Sequence, residues 1–584
     1  MPLRMIVIFY CLGTMLMAED IKLAAHTIET KGNTVHDKSE LYEALDVQTK
    51  SFWEFWKKET PKIYDKLLPT LQQSLRSFYD AEGFYGAEIA TRVTDAAVYI
   101  DIKENKPVRV NDINITSDHA ISGYVTFKKN ERFRAQKFIE IKNSIIETML
   151  EKGYCSYDLD TKAYVDPDRH RADLVYRLKQ GDLCEFSKTT IKGLEDINES
   201  VVLSRVVASE GKRFDPKRIK ESYANLYQLE VFDSVVINYN RKFYNKVPID
   251  ITVRETEKPY HTEIGAGYDT FLGTRTQGTL VKKNFMGNAQ KLTLKALWSQ
   301  KEQLFTLDFF KPALYDVWGY SIDLMSKGGY SNLEYKGFTE EKSYVKFSLG
   351  HQHGRLRSRS GIVLENIDIK LLDNLEEDEV LQQAVNDGEF LLFYPYIDLV
   401  YDARDDRLNP RKGYYLASYI EYGFPYKEDA SSYLKMQLEG RYIHSFEKLI
   451  LAAVAKTGVV KQFSHEIPES KLFFGGGASS NRAYGFKEIG VILSSTEDSI
   501  QGASTMLNLS LEADYPVWGD LYGAIFTDHT MLNEKSYDYS GEIITSAGAG
   551  IRYMTPIGPF KLDAGFNIDD PSQYAISFQV GQSF

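Results

Sequence analysis

The stretch YAISFQVGQSF, residues 574–584, alternates apolar with small or polar side chains. One face carries Tyr574, Ile576, Phe578 and Val580, and Phe584 closes the same register. Because alternate side chains of a β-strand point to opposite faces, the pattern predicts a strand with one apolar side. A chance strand can show the same alternation, so its setting decides the fold.

The same alternation continues through the sequence from His261 onward. Segments such as KLTLKALWSQ, FLLFYPYIDLVYD and YLKMQLEGRYIHSF recur every 15 to 25 residues. The roughly 325 residues from 258 to 584 supply about 16 strands of the 9 to 11 residues that a tilted transmembrane strand needs, once turns and loops are included. The sequence therefore predicts an all-β transmembrane barrel of about 16 antiparallel strands over residues 258–584.

The composition fits a large barrel. The chain has 39 tyrosines and 32 phenylalanines, and its mean hydropathy is negative although 43% of its residues are hydrophobic. Apolar outward faces, polar inward faces and aromatic girdles together give such an average. A soluble multidomain β-protein remains open on composition alone. The formal net charge of -12 argues against nucleic acid as a partner, because nucleic acid favours a basic surface.

Before residue 258, helical periods alternate with short strands, and the pattern repeats. The helix-like stretches are SLRSFYDAEGFY (74–85), SIIETMLEKGYC (144–155) and RIKESYANLYQLEVF (218–232), each followed by a pair of strand-like stretches. A repeat of about 70 to 75 residues indicates tandem modules. We assign three α+β modules to residues 19–106, 107–182 and 183–257, each with the order strand, helix, helix, strand, strand. Three unrelated α+β domains are the alternative.

The first residues predict an export signal. Arg4 precedes the uncharged apolar run from Met5 to Met17, and Ala18 is followed by two acidic residues. This run of about 13 residues is shorter than the roughly 20 that a membrane-spanning helix needs. We therefore expect residues 1–18 to be a cleaved secretory signal peptide rather than a membrane anchor. A lipid anchor on Cys11 is the weaker alternative, because the small residues that lipidation requires do not precede it.

Cysteines can pair in an exported protein. Cys155 and Cys184 flank the last two predicted strands of the middle module, so a hairpin could bring them together as a disulfide. Two separate thiols fit the sequence equally well. No spacing of cysteine and histidine indicates a zinc site.

The stretch YDARDDRLNPRKGYYL, residues 401–416, joins two strand patterns through turn-forming residues. The dipeptides Asn409–Pro410 and Lys412–Gly413 favour a turn. Its carboxylates could indicate a calcium loop, but Arg404 and Arg407 stand among them and favour the turn.

The stretch FFGGGASSNRAYGF, residues 473–486, is a glycine-rich loop with one arginine, Arg482. Within a barrel lumen Arg482 would need a bidentate acceptor, since a desolvated guanidinium without acceptors is costly. The alternative is an ordinary solvated residue of an extracellular loop.

Together, these motifs resemble the TamA/BamA superfamily of outer-membrane insertases. TPIGPFKLDAGF (555–566) and NFMGNAQKL (284–292) resemble two strand regions of that superfamily, although it has glycine where Asn288 or Ala289 stands. The N-terminal modules resemble POTRA modules, and a last strand ending in Phe584 resembles the signal by which outer-membrane barrels are recognised. The strand-turn-strand signature of the superfamily matches Asp402, Arg404, Asp405, Asn409, Pro410 and Gly413. Three modules point to the TamA branch, because BamA typically carries five.

The resemblance implies roles for the glycine-rich loop. The superfamily folds its sixth loop back into the barrel and tips it with an Arg-Gly-aromatic motif. Here the tip is Arg482, Ala483, Tyr484, Gly485 and Phe486. The resemblance also implies that Glu512 and Asp528 are the acidic wall partners of Arg482. Ala483 and Thr530 stand where the superfamily usually has glycine, which puts the close approach of loop and wall in question unless Gly485 compensates.

The first and last barrel strands, around residues 263–271 and 575–584, must pair to close the barrel. Gly265, Gly267 and Gly581 weaken this seam, because glycine lowers the stability of a strand. We therefore predict a lateral seam that opens easily and ends at Phe584. An open seam exposes backbone groups that lipid cannot satisfy and that a client strand can.

The expected function follows from the seam and the resemblance. We expect a protein of the bacterial outer membrane, with its modules in the periplasm, that assists insertion or translocation of client outer-membrane proteins such as autotransporters. The resemblance implies a TamB-like periplasm-spanning partner. Two alternatives remain within the family, a BamA-like general assembly factor and a dedicated two-partner secretion transporter. A passive pore is the alternative outside it. No phosphate loop, GxSxG motif or catalytic histidine spacing occurs, so we expect no enzyme and no cofactor or metal.

Overall fold

The structure is a computed structural model that describes residues 25–45, 47, 61–94, 97–240, 245–269, 273–317, 320–372, 386–426, 430–492, 500–555 and 558–580. The chain divides into two compact units. The first comprises residues 1–189, 208–218 and 239–249, and the second comprises residues 190–207, 219–238 and 250–584. The predicted signal peptide, residues 1–18, lies outside the described residues, as do Gly581 and Phe584 of the predicted seam.

The N-terminal residues form three small α+β modules. Their strands are β1 (Ala25–Lys31), β2 (Lys62–Tyr64), β3 (Glu88–Val93), β4 (Ala97–Lys103), β5 (Arg109–Ser117), β6 (Asp158–Asp166), β7 (Arg171–Lys179), β8 (Glu185–Lys192), β9 (Phe232–Tyr239) and β10 (Lys246–Glu255). Their helices are α1 (Lys38–Ala44), α2 (Leu68–Ala81), α3 (Ala135–Glu151), α4 (Glu199–Leu203) and α5 (Pro216–Tyr227). The sheets have the strand orders β2-β1-β4-β3, β5-β7-β6 and β8-β10-β9.

The long helices form because their apolar residues recur at helical spacing. The buried stripes are Leu71, Leu75 and Tyr79 on α2, and Ile141, Ile145 and Met149 on α3. Residues four apart lie on one face of a helix, so each helix covers its sheet with a single apolar stripe. Both helices begin earlier and end earlier than the sequence pattern predicted. They stop before Gly83 and Gly153, whose φ angles of 92° and 88° are left-handed. Among the described residues, no helix has the length and apolar character needed to cross a membrane.

The second module departs from the predicted order, because it contains one α-helix rather than two. Residues 118–134, between β5 and α3, form turns and extended chain. This segment carries Gly123 and the β-branched and aromatic residues of YVTF, which are poor helix formers. The chain instead folds back to β5 through a bridge between Arg109 and Arg132.

The first and third modules share one turn after their first strand. Gly32 and Gly193 have φ angles of 84° and 89°, and a Cβ on either would lie within about 2 Å of a carbonyl oxygen of the last strand. Glu104 then accepts the backbone amides of the three residues 34–36. Glu255 accepts those of residues 195–197 in the same way. The repeat predicted from sequence therefore extends to individual hydrogen bonds.

The first two modules are each followed by a similar backbone joint. The amide of Val108 donates to the carbonyl of Gly83 at 2.8 Å, and that of Cys184 donates to the carbonyl of Gly153 at 2.9 Å. At the second joint the structure also links Cys155 and Cys184 as a disulfide, with 5.8 Å between their Cα atoms. Both cysteines are buried, so the bond lies inside the joint.

In the rest of the chain, the described residues form one antiparallel sheet of 16 strands, as predicted. The strands are β11 (Tyr260–Asp269), β12 (Gly273–Lys282), β13 (Lys291–Trp298), β14 (Glu302–Val317), β15 (Tyr320–Glu334), β16 (Phe338–His353), β17 (Leu356–Leu371), β18 (Gly388–Asp402), β19 (Gly413–Gly423), β20 (Ser432–Phe446), β21 (Leu449–Ser464), β24 (Thr505–Trp518), β25 (Leu521–Asn533), β26 (Ile543–Tyr553), β27 (Phe560–Asn567) and β28 (Tyr574–Val580). Two short strands, β22 (Val491–Ile492) and β23 (Ile500–Gln501), pair with each other within the loop between β21 and β24.

The two faces of this sheet differ in chemistry. Large apolar residues such as Leu511, Ile525 and Phe578 are exposed on its outer face. Carboxylates and basic residues such as Glu421 and Arg552 are buried on its inner face. A barrel in lipid needs this arrangement, because its outer face meets hydrocarbon and its inner face a polar lumen.

The first turn of the barrel, residues 283–290, meets the segment 190–207. The φ angles of Asn288 and Ala289 are 53° and 56°, which explains why glycine would suit either position. The side chain of Asn288 accepts the amide of Asn198 at 2.9 Å, and its own amide donates to the carbonyl of Asp196 at 3.1 Å. The segment therefore caps the hairpin formed by β12 and β13.

Candidate functional site

The described residues of the loop between β21 and β24, 465–492 and 500–504, fold back into the barrel lumen. The two limbs of the loop pair through Phe473 and Ala503, which exchange backbone hydrogen bonds of 2.8 Å. Further along, Gly475 and Ile489 form a second bridge. The glycines after Phe474 permit this tight path, since the φ angles of Gly476 and Gly477 are 95° and 92°.

Arg482 at the loop tip is bound by Asp528 of β25. Its Nε and Nη2 atoms lie 2.9 Å from the two carboxylate oxygens of Asp528, and its backbone amide donates to the same carboxylate at 3.0 Å. This is a bidentate pair, in which geometry adds to charge. The interpretation of Arg482 as a solvated loop residue is wrong, because only 6% of the residue is exposed.

Other wall residues complete the binding site of Arg482. Glu512 of β24 binds its Nη1 atom and also binds Arg552 of β26 at 2.9 Å. Arg552 in turn pairs with Asp563 of β27, which lies 3.7 Å from Nη1 of Arg482. The ring of Phe526 lies below the guanidinium, with its centroid 3.4 Å from the Cζ atom. Arg482 thus connects β24, β25 and β27.

The site pairs its buried carboxylates with cations, apart from Asp514 of β24, which is also buried and has no ion pair among the described residues. The carboxylates of Glu512, Asp528 and Asp563 face the cations of Arg482, Arg552 and, on the same strand as Asp563, Lys561. Buried charges are tolerated when they are paired and hydrogen-bonded, whereas an unpaired one is costly. The loop therefore supplies a cation that the wall needs.

Sequence reasoning missed Arg552 and Asp563. Asp563 lies in TPIGPFKLDAGF and alternates with Lys561, so the strand period alone places the two on one face. That both face the lumen, and that Arg552 stands on the neighbouring strand, depends on the register between β26 and β27. A single sequence does not provide that register.

The close approach of loop and wall is present although Ala483 and Thr530 replace glycine. Gly565 of β27 supplies one contact, because a Cβ there would lie 2.6 Å from the carbonyl oxygen of Arg482. Gly475 supplies the other, because a Cβ there would lie 2.7 Å from the Cγ2 atom of Thr530. Opposite Thr530, the glycine of the contact stands in the loop, at Gly475, instead of in the wall. Neither Ala483 nor Thr530 therefore blocks the approach of loop and wall.

The rest of the tip is held by its own set of bonds. The amide of Gly485 donates to Glu488 at 2.6 Å, so Gly485 shapes a local turn rather than the contact with the wall. The hydroxyl of Tyr484 accepts the side-chain amide of Asn567 on β27 at 2.7 Å. Phe486 is half-exposed.

The hairpin motif forms the turn between β18 and β19. Arg404 binds both carboxylate oxygens of Asp402 at 2.9 Å. Asp405 accepts the backbone amides of residues 406, 411 and 412, and the side chain of Asp406 accepts the amide of Asn409. The φ angle of Gly413 is 119°, and a Cβ there would lie 2.4 Å from the carbonyl oxygen of Ala403. The neighbouring Pro410 is buried. The motif is a self-satisfied turn, and no group of three or more metal-binding side chains occurs among the described residues.

The predicted seam lies where β28 runs beside β11. The strand order of the sheet begins at β11 and ends at β28, and no ladder joins the described residues of these two strands. On β11, Gly265 and Gly267 stand opposite Gln277 and Arg275 of β12. Ile264, directly before Gly265, is 87% exposed. Among their described residues, the two strands therefore lie side by side without a hydrogen-bonded ladder.

The family model described as the Omp85 superfamily domain matches residues 284–584. The chain belongs to the Omp85 superfamily. A second model, the POTRA domain described as a surface antigen variable number repeat, matches residues 106–181. These matches cover the inner-loop site and the second module, so both features occur in a recognised Omp85 setting.

Relatives of this Omp85 chain include curated assembly factors. It is 21% identical to the outer membrane protein assembly factor BamA of Nitratidesulfovibrio vulgaris, over 97% of this chain and 74% of the relative. It is 19% identical to BamA of Neisseria meningitidis serogroup B, over 95% of this chain and 78% of the relative. A crystal structure of Haemophilus ducreyi BamA lacking POTRA domains 1–3 has a similar fold, with a TM-score of 0.55 at 17% identity over 81% of this chain and 99% of that one. This Omp85 protein resides in the outer membrane with its POTRA modules on the periplasmic side.

Proposed function

We propose that this Omp85 protein inserts client β-barrel proteins into the outer membrane through the seam between β11 and β28. Its family and its BamA relatives support an insertase or transporter. The observation that carries the proposal is the absence of a ladder between the described residues of β11 and β28, since every other neighbouring pair of strands is hydrogen-bonded.

The chemistry of a seam in lipid explains why it would accept a client. An unpaired backbone amide or carbonyl in hydrocarbon costs several kcal/mol. An incoming strand satisfies these groups by adding itself to β11, which is β-augmentation within the membrane. The glycines of β11 weaken its alternative pairing with β28. The exposed Ile264 offers an apolar contact to the client's outer face.

The N-terminal modules would receive clients or a partner before insertion. In the sheet order β5-β7-β6, β6 is an edge strand, and β5 is an edge strand beyond its bridge to Arg132. An extended segment can pair with such an edge. A weak seam and receptive edges require no chemical step, so we take the protein to be non-enzymatic. The two predicted wall carboxylates agree with this, because Asp528 and Glu512 are held by guanidinium groups.

A cross-linking experiment tests the seam. Glu263 of β11 and Ser577 of β28 stand three residues from the periplasmic ends of their strands, so cysteines at these positions should cross-link under oxidation. We expect the lock to stop client insertion and a reductant to restore it. The matched control couples Glu263→Cys with Thr279→Cys, because these residues are already partners in the β11–β12 ladder. Normal insertion by the locked seam would refute the proposal.

The narrower role within the superfamily rests on module number. Three modules favour a TamA-like role with a TamB-like partner, whereas the relatives from Nitratidesulfovibrio vulgaris and Neisseria meningitidis are BamA factors. In-cell cross-linking through the edge strand β6, followed by capture of the chain, separates the two. An elongated periplasm-spanning protein on β6 would support the TamA-like role, and lipoproteins would support the BamA-like one. Loss of a single secreted passenger on depletion would indicate a dedicated transporter, and a selective conductance without insertion would indicate a pore.

A further inference from the structure

A second charged cluster binds the lumenal loop far from its tip. Lys471, in the short 3-10 turn Glu469–Lys471, is buried among three neighbouring strands. Its ammonium group binds Glu365 of β17 and lies 3.3 Å from Glu421 of β19. It also lies 4.0 Å from the ring centroid of Tyr394 on β18. One lysine therefore connects three consecutive strands to the base of the loop.

The wall is organised to receive this lysine. The hydroxyl of Tyr394 donates to Glu365 at 3.1 Å, and that of Tyr433 donates to Glu421 at 3.0 Å. Lys435 of β20 donates to the backbone carbonyl of Lys471 at 2.7 Å. Two carboxylates thus face two ammonium groups, one from the wall and one from the loop. Without the loop's cation the wall would bury an unbalanced negative charge, which is costly.

Hydrogen bonds join the base of the loop, next to this cluster, to the return limb. Glu469 accepts the amide of Gly502, and Phe473 pairs with Ala503 through two backbone bonds. The ring of Phe473 fits against Gly458 of β21, where a Cβ would lie 2.4 Å from it. The position of Lys471 therefore fixes the direction in which both limbs leave the wall.

We propose that Lys471 is a positioning residue that makes the lumenal loop a strut between two arcs of the barrel. Lys471 holds the base at β17, β18 and β19, and Arg482 holds the tip at β24, β25 and β27. The last of these strands pairs with β28. The strut thus keeps the seam side of the barrel at a set distance from the far wall, and loosening its base lets the tip leave its site. This role deepens the proposed function.

A cross-link at the tip measures positioning directly. Ser480 of the loop lies beside Ser510 of β24, with 3.5 Å between its carbonyl oxygen and the Ser510 hydroxyl. In a variant with cysteines at both positions, the cross-linked fraction after brief oxidation reports how often the tip is seated. We expect Lys471→Met to lower that fraction several-fold, and Lys471→Arg to restore most of it. The matched control is Lys346→Met, because Lys346 lies over the wall residue Tyr396 and has no described bond to the loop.

A compensated variant separates positioning from folding. Lys471→Met alone leaves Glu365 and Glu421 facing only Lys435, and it can fail to assemble for that reason. Adding Glu365→Gln restores neutrality without restoring the connection to the loop. We expect this double variant to fold, with normal heat-modifiable mobility, and still to show a low cross-linked fraction. A fraction equal to that of the parent would overturn the strut. Because the cross-linked fraction involves no client, it tests the strut independently of client insertion through the seam.

Discussion

The carbonyl oxygen of Arg482 lies so close to Gly565 that a Cβ on that glycine would stand 2.6 Å from it. Atoms at that separation overlap, so glycine on β27 is a condition for seating the loop tip. The contact lies on the strand that pairs with β28, which places the loop beside the seam.

Gly565→Ala should unseat the loop. Overpacking of this kind costs about 1 to 3 kcal/mol, and we expect a lower unfolding midpoint of the barrel in detergent together with slower client insertion. Gly328→Ala on β15 is the control, because a Cβ there would meet its nearest neighbour at an ordinary 3.9 Å. An equal loss in both variants would mean that alanine weakens the strand itself.

The contact between Gly475 and Thr530 should behave non-additively. Gly475→Ala places a methyl group against the Cγ2 atom of Thr530 and should destabilise the barrel. Thr530→Ser removes Cγ2 and keeps the hydroxyl that accepts the side chain of Asn508 at 2.9 Å. The double variant should recover most of the stability lost in Gly475→Ala. Unfolding midpoints of the four proteins measure this, and simple addition of the two effects would contradict the assigned contact.

Glu104 should make the first module sensitive to acid. Burial disfavours its charge, but the hydrogen bonds from the hydroxyl and amide of Thr34 and from the next two amides outweigh that cost and lower the pKa of Glu104 below its usual range. A carboxyl with a lowered pKa in the folded state stabilises above its unfolded pKa, and this contribution is lost as the pH falls through the folded value.

Hydrogen exchange in the full chain tests this pH dependence. Protection factors of the amides at residues 34–36, corrected for intrinsic exchange, should fall as the pH drops below the ordinary range of a glutamate. At neutral pH, Glu104→Gln should lower the free energy of opening at these amides by about 1.5 to 3 kcal/mol, the value of a hydrogen bond to a charged group. The amides at residues 195–197, held by Glu255, are the internal control for Glu104→Gln. Unchanged protection at residues 34–36 would show that Glu104 does not hold this turn.

The disulfide should stabilise the joint after the second module. Cys155→Ser with Cys184→Ser removes a bond between residues 29 apart, and we expect a loss of about 2 to 4 kcal/mol, read from the onset of proteolysis at the joint. A reductant should have a similar effect on the parent chain and none on the double variant. Equal protease resistance of the parent with and without reductant would show that the cysteines are not joined in the protein.

The architecture could be predicted from the sequence, whereas most of the long-range contacts could not. The period of two and the length from residue 258 were enough for 16 strands, because each strand carries its own signal. The prediction of a helix directly after β5 was wrong. It extended the pattern of the other modules over the YVTF segment, which forms turns and extended chain. The partners of Lys471 had no local signal, because Glu365 lies about a hundred residues away and meets it only after the barrel has formed.

The same difference applies at the loop tip. Asp528 and Glu512 could be named as partners of Arg482 from motifs, whereas Gly565 could not, because its contact with Arg482 depends on how the loop lies in the lumen. The sequence offered Gly485 as the compensating glycine, whereas the close contacts lie at Gly565 and Gly475. A contact between two backbone segments depends on how the segments are placed relative to each other. The residues of either segment alone do not determine that placement.

The hydrogen bonds of Asn288 to Asn198 and Asp196 give the molecule a mechanical linkage. They join the segment 190–207 to the turn between β12 and β13, and β12 is the strand that holds β11 in the sheet. A cargo that pulled on this segment from the periplasm would therefore apply tension one strand away from the junction of β11 and β28. Such a lever would let capture of the cargo do the work of parting the wall, in a compartment that has no nucleotide fuel.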